Sequence, residues 1–340
     1  MRFNRGHFQA FGLFAAAVVA AGAVWGLLAP SGAGANPLTR LSWKLEWPKT
    51  DFSKTSIDLG EIISGGPPKD GIPSIDDPRA VPISRIKDLA GTEPVVGLII
   101  NGKARAYPLR VLTWHEIVND ELGGVPVTVT YCPLCNSAIV FDRRLDGKVL
   151  DFGTTGKLRH SDMVMYDRQT ESWWQQFLGQ GIVGEMTGKR LKTIPARLES
   201  FADFKKRAPA GDVLVPNDPG MRDYGANPYA GYDTSPTPFL FEGGLPKGIN
   251  PMVRVIVVDG QAWSLPLLRE KGRVTEGDLV LTWRAGQNSA LDTRAIARGR
   301  DVGNVVVRRV QGGEARDAVY DVTFAFVYNA FFPGREIHVD

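Results

Sequence analysis

The sequence predicts a mainly β protein, with α+β character from a few short helices, built as two related β-rich units. Three observations carry this reading. Short runs rich in Val, Ile, Thr and aromatic residues recur between Gly, Pro and Asn turns. Helical periods are few and brief. One stretch occurs twice, as VTVTYCPLCNSAI at residues 127–139 and DLVLTWRAGQNSAL at residues 278–291.

The composition is that of an ordinary globular chain: 340 residues, 43% hydrophobic, net charge +3. The charges are interspersed, and a phosphate-binding surface needs clustered Lys and Arg, so nothing points to nucleic acid. At the N-terminus Arg2 and Arg5 precede an apolar run from about Phe8 to Leu28, followed by Ala33-Gly34-Ala35. Residues 1–35 are therefore expected to be a signal peptide cleaved before Asn36, or a retained N-terminal membrane anchor, since the run just reaches bilayer length. No cysteine lies near the end of the run, which excludes a bacterial lipoprotein. The folded part is expected to be secreted or periplasmic, or anchored in the inner membrane facing the periplasm. That compartment is oxidising.

Residues 36–94 read as an extended N-terminal segment. LSWKLEWPKTDF has no clear period, and residues 63–82 hold too much Gly and Pro for a helix or a central strand. Lys69, Asp70 and Asp76 there could line a site. The first unit, 95–245, opens with VVGLIING as strand and turn, and TWHEIVNDEL reads as a short helix. VPVTVTY is a strand, CPLCN a turn and SAIVFDR a strand. VLDFG, DMVMYDR and GIVGEMTGKRLKTIP continue the β pattern, and ESFADFKKRAP predicts a short helix ending near Pro209. Residues 217–239 form a long loop whose tyrosines predict packing. The second unit, 246–340, repeats GLIINGKARAYPLRVL as RVIVVDGQAWSLPLLR.

The repeat separates scaffold from chemistry. In the second copy Arg284 stands for Cys132 and Gln287 for Cys135, and HEIVND has no clear counterpart. The strand–turn–strand therefore does not need thiols, which weakens an inert-staple reading of the only two cysteines.

Three chemistries stay open for that pair. A Cys-Pro-x-Cys turn between strands has the shape of a metal knuckle, and Asn136 suits the left-handed residue that follows it. The expected metal set is Cys132, Cys135 and His115, for copper or zinc, with His160, Met163 and Met165 as further soft candidates. The turn also resembles the thioredoxin and glutaredoxin motif, with Thr193-Ile194-Pro195 mimicking its Thr-x-Pro, although SAIVFDR favours strand over helix. A thiol–disulfide oxidoreductase would use Cys132 and Cys135, with His115 and Glu116 as candidate acid and base. The zinc-protease pattern is incomplete, because Asn119 stands where a second His is needed. The third reading is a non-catalytic envelope ligand-binding protein with a structural disulfide. Asp167, Arg168, Arg222 and Tyr229 are candidate ligand- or cofactor-binding residues. A salt-bridged corner packed on Trp173 and Trp174 is the plainer account of Asp167 and Arg168.

GGPPKDGIP, ARAYPLRVLTWHEIVND, VTYCPLCNSAIVFDR and VMYDRQTESWWQQF together resemble the domain of unknown function 3179 family, from about Ile57 to the C-terminus. The resemblance implies a bacterial or archaeal protein, often exported, with no established activity. It places Cys132, Cys135, His115, Glu116, Asp167 and Arg168 at motif positions. Asn is usual in that family where this chain has His160, which speaks against His160 as a ligand.

Overall fold

The computed structural model describes residues 37–340. The apolar run, and with it the expected signal or anchor, lies outside the described residues. A helix, α1 (Pro37–Glu46), comes first, where the sequence shows no clear period. Tertiary contacts hold it. Trp43 and Trp47 are buried edge-on against Trp173, with ring centroids 5.1 and 5.5 Å apart. Lys157 Nζ stands over Trp47 and donates to Glu46 at 2.9 Å.

The Gly/Pro stretch supplies only short edge strands, β1 (Ile62–Ser64) and β2 (Arg79–Pro82), as Pro in a strand requires. Then come β3 (Pro94–Ile100), β4 (Lys103–Pro108), α2 (Leu109–His115), β5 (Ile117–Leu122), β6 (Val125–Cys132) and β7 (Ser137–Asp142). A small hairpin, β8 (Arg144–Leu145) and β9 (Lys148–Val149), leads to β10 (Phe152–Arg159), β11 (Asp162–Asp167), β12 (Trp173–Gln175) and β13 (Gln180–Val183). The first half closes with β14 (Lys192–Ile194), β15 (Arg197–Ser200), α3 (Phe201–Arg207) and β16 (Asp212–Val215). Beyond the tyrosine loop lie β17 (Arg254–Val258), β18 (Gln261–Ser264), α4 (Leu265–Lys271), β19 (Arg273–Glu276) and β20 (Leu279–Arg284). The chain ends with β21 (Asn304–Gln311), β22 (Glu314–Asp317), β23 (Asp321–Phe324), α5 (Ala325–Phe331) and β24 (Ile337–His338).

These strands form five sheets of four or five strands, in the orders β1-β10-β11-β12-β13, β14-β7-β6-β5, β15-β3-β4-β16-β2, β23-β17-β18-β24 and β19-β20-β21-β22. The protein is mainly β with few short helices, and the sheets are arranged as a five-bladed β-propeller.

Four of the five sheets match in pairs. β15-β3-β4-β16 and β23-β17-β18-β24 share order and sense, each with a parallel outer strand reached through a seven-residue helix. Phe201 N–H donates to Glu93 O at 2.9 Å, and Ala325 N–H donates to Val253 O at 2.8 Å in the corresponding place. β5-β6-β7-β14 and β19-β20-β21-β22 correspond likewise, all antiparallel. Sheet β1-β10-β11-β12-β13 draws four of its strands from the stretch between β7 and β14 and has no partner in the second half.

The hairpin registers refine two sequence expectations. TWHEIVNDEL is not a helix: α2 stops at His115, and Ile117–Leu122 is a strand pairing with β6. The β-branched Ile117 and Val118 suit that strand, and Glu116 ends the helix at φ 57. HEIVND does have a counterpart. Tyr131 N–H donates to Glu116 O at 2.8 Å, and Trp283 N–H donates to Gly272 O at 2.9 Å, so Gly272 stands where Glu116 does. The match fades after Arg284. Residues 133–136 are a tight turn, whereas residues 285–303 are a long loop that contains Asn288-Ser289-Ala290.

Candidate metal centre

The cysteine turn is locally determined. Cys132 ends β6, Cys135 N–H donates back to Cys132 O at 3.2 Å, and Asn136 takes φ 52, the left-handed value expected after a knuckle. The second half of the chain pins the turn from outside. Cys135 O accepts from Thr323 Oγ1 at 2.8 Å and from Phe324 N–H at 3.2 Å. Asn136 Nδ2 donates to Val322 O at 3.0 Å, and Ser137 Oγ donates to Asp321 at 2.6 Å. From the tyrosine loop, Tyr232 O–H donates to Leu134 O at 3.0 Å. The expected packing of that loop is therefore seen, on the cysteine turn itself.

Facing the thiols is the β10–β11 hairpin. Arg159 pairs with Asp162, so His160 and Ser161 are the two turn residues, at φ 54 and 67. The turn brings Ser161 O to 3.7 Å from Cys132 Sγ, within reach of the thiol as donor. It also makes Asp162 the first residue of a strand buried along its whole length. Cys132 Sγ, Cys135 Sγ and a carboxylate oxygen of Asp162 lie within 4.8 Å of one another. The three residues are 2%, 0% and 0% exposed.

Asp162 is held by one oxygen only. Its Oδ2 accepts from Gln175 Nε2 at 2.6 Å and from Phe177 N–H at 2.9 Å, while Oδ1 is buried with no hydrogen-bond partner among the described residues. Burying that oxygen beside two thiols costs desolvation, which the bonds to Oδ2 and a contact with the Cys135 thiol offset only in part. Burial pushes both thiols up, Cys135 furthest, and raises Asp162 to about 7. A divalent cation reverses that balance, because it favours the anionic form of every ligand. The group could hold a metal ion.

Of the sequence candidates, Cys132 and Cys135 stand in this group, and Glu116 is not among its members. Glu116 is pushed up to about 8 by burial and by the charge of Asp162. Burial, then the charges of Glu116 and Cys132, push the Tyr229 hydroxyl up. His115 is not brought in: its Nδ1 lies 2.7 Å from Pro73 O and its Nε2 lies 2.8 Å from Tyr224 Oη. Asp162, on a distant stretch of chain, stands where His115 was expected, because the backbone turns away at Glu116. His160 faces Glu61 at 3.3 Å, away from the thiols' ligand set. Met163 and Met165 pack in the surrounding apolar cluster.

Asp167 and Arg168 form a corner in which only Arg168 is in a salt bridge. Asp167 accepts from Trp174 Nε1 at 2.9 Å and from Thr170, and Arg168 donates to Asp76 at 2.6 Å and to Ser74 Oγ at 2.7 Å. Lys69 and Asp70 are engaged by Glu171 and by the Tyr166 hydroxyl. Arg222 donates to its neighbour Met221 O at 3.4 Å and lies near His115.

A model of one protein family matches residues 69–335, under the description "Protein of unknown function (DUF3179)". The chain belongs to the DUF3179 family. No curated protein and no solved structure matches it. The DUF3179 match spans Cys132, Cys135, Asp162 and Glu116 and stops short of α1.

Proposed function

We propose that this protein binds one divalent metal ion, zinc before copper, through Cys132, Cys135 and Asp162. The observation that carries the reading is the buried, unpartnered Asp162 Oδ1 set against two thiols in a cluster 4.8 Å across. Two thiolates and a carboxylate are a zinc-like donor set, whereas a soft copper set would have drawn in His or Met. Gln175 and the Phe177 amide then orient the carboxylate from behind.

Two features weigh against thiol–disulfide exchange as the main task. Both sulfurs are buried and their thiolates disfavoured, and β7 rather than a helix follows the turn. Thr193-Ile194-Pro195 offers no Thr-x-Pro contact, because β14 pairs Ile194 with Val140, along β7 from the turn. Against a plain staple, a buried carboxylate oxygen without a hydrogen-bond partner has no place beside a disulfide.

The matched sheets support a division into two related units, 95–245 carrying the site and 246–340 bracing its turn. The export expectation belongs to the same reading: an exported protein keeps such thiols reduced most readily by holding a metal.

The test is elemental analysis with thiol counting on protein purified from the periplasm without chelator. One equivalent of zinc, lost in both Cys132→Ser and Asp162→Asn, is expected. Absence of metal together with absence of free thiol would overturn the proposal in favour of a disulfide. A His115→Phe variant is expected to keep its full equivalent of zinc; loss there would return the ligand set to His115.

A further inference from the structure

A chain of hydrogen bonds runs from the Asp162 carboxylate out to the N-terminal segment. Gln175, fully buried, donates from Nε2 to Asp162 Oδ2 at 2.6 Å. Its Oε1 accepts from Arg159 Nη1 at 3.3 Å. Arg159 Nε donates in turn to Glu61 Oε2 at 2.6 Å, and the two side chains are 15% and 36% exposed. His160 Nε2 lies 3.3 Å from the same Glu61 oxygen. The sheet sets these groups in order. Arg159 pairs with Asp162 across the β10–β11 turn, and with Ile62, the residue after Glu61, across β1 and β10. Gln175 stands on β12, the strand beyond β11, opposite Val164.

Donor and acceptor chemistry gives the chain a direction. A side-chain amide has a donor end and an acceptor end, and either can face a given neighbour. Turned over, Gln175 would set its oxygen against the Asp162 carboxylate and its N–H groups against the Arg159 guanidinium, which offers donors only. The guanidinium therefore fixes which end of Gln175 meets Asp162. That end engages Oδ2 together with the Phe177 amide and leaves Oδ1 as the oxygen without a partner. A guanidinium so near a cation site is unfavourable on charge alone, and the Glu61 carboxylate offsets it.

We propose that Arg159 and Glu61 are positioning residues of the metal centre, acting through Gln175 to hold the Asp162 carboxylate with Oδ1 free for the ion. This rests on the metal reading above and deepens it, because the N-terminal segment becomes part of the site's support. Arg159 and Gln175 lie within the stretch 69–335 matched by the family, and Glu61 precedes it. The coupling is reciprocal: loosening the Glu61 segment from β10 weakens the metal, and the metal tightens that segment by the same factor.

The experiment measures zinc affinity, by competition with a chromophoric chelator, in Gln175→Met, Arg159→Met and Glu61→Gln, and in the two double variants that contain Gln175→Met. Cobalt(II) d–d absorption reads the ligand geometry, and the melting temperature of the metal-free protein reads the fold. Gln175→Met and Arg159→Met are each expected to weaken zinc by about tenfold or more, and Glu61→Gln by less. Arg159→Met is also expected to shift the cobalt bands. The direction is diagnostic. Removing a positive charge from beside a cation site tightens binding on charge alone, so a loss in Arg159→Met reports positioning. In the Gln175→Met background neither second substitution should cost further affinity, since its route to Asp162 is already gone. Glu61→Gln, at a partly exposed position, carries the test if Arg159→Met does not fold. Unchanged or tighter zinc in Arg159→Met or in Glu61→Gln, or losses that persist in full beside Gln175→Met, would overturn the proposal and leave the metal reading standing. A wild-type chain that binds neither zinc nor cobalt would overturn both.

Discussion

Asp233→Ala is expected to destabilise the protein by about 3–5 kcal/mol, the scale of stranding one member of a buried ion pair. Asp233 and Arg254 have side chains 0% and 6% exposed, with Arg254 Nη2 donating to Asp233 Oδ2 at 3.0 Å. The same oxygen accepts from Ser289 Oγ and, at 3.1 Å, from Arg300. Removing the carboxylate leaves the Arg254 guanidinium without its buried counter-charge, and Arg300, itself 43% exposed, has water to turn to. Asp233→Asn keeps the shape and part of the hydrogen bonding, so it should lose clearly less. The midpoint of urea unfolding reads both. The consequence extends to the site. Asp233 follows Tyr232, whose hydroxyl holds Leu134 O inside the cysteine turn, so the alanine variant should also bind zinc more weakly. Equal, small losses from both substitutions would show that the loop is not anchored through this pair.

What sequence could show of the site follows from range. Cys132, Cys135 and the left-handed Asn136 belong to one turn, and local chemistry dictates a turn. The pairing of sheets was legible through β6 and β20, where Thr130-Tyr131 and Thr282-Trp283 share register. Beyond Arg284 the two halves part. There the recurrence of Asn-Ser-Ala misleads, because Tyr131 pairs with Ala138 but Trp283 pairs with Val305. The sheet carrying Asp162 has no copy in the second half, so the repeat could not announce it. Asp162 reaches the thiols only when that sheet packs beside β5 and β7, a contact between residues far apart in the chain. One signal was available: an acid at the head of DMVMYD, a strand otherwise apolar until its last residue. His115 misled for the opposite reason. It is close in sequence to the cysteine strand, but the positive φ at Glu116 separates the helix that carries it from the strand that follows.

The stability of the metal-free protein is expected to fall as pH rises from about 6.5 to 8, and zinc is expected to abolish that fall. Asp321, Asp162 and Glu116 are raised by burial to about 6, about 7 and about 8. An acid with a raised folded pKa contributes its stabilisation fully below its unfolded pKa, near 4, and loses it as pH climbs through the folded value. Each loss therefore runs from about pH 4 to the folded value, ending near pH 6, 7 and 8 in turn. Two histidines act in the other direction. Burial lowers His115 and His160, so each destabilises on acidification below its ordinary pKa and is spent by about pH 7. The upper half of the window thus belongs to the acids. Asp162→Asn removes one share: it should reduce the fall of the metal-free melting profile below about pH 7, leave the fall between about pH 7 and 8, and abolish zinc binding at once. In the loaded protein the same carboxylate and both thiols are already deprotonated by the cation, so the profile inverts. Zinc is then lost on acidification as protons compete for the ligands, and the loaded protein melts highest above neutrality. A metal-free profile that is flat or rising through pH 8 would mean that Asp162 and Glu116 are charged and compensated in the folded state. Their burial would then be no argument for a cation.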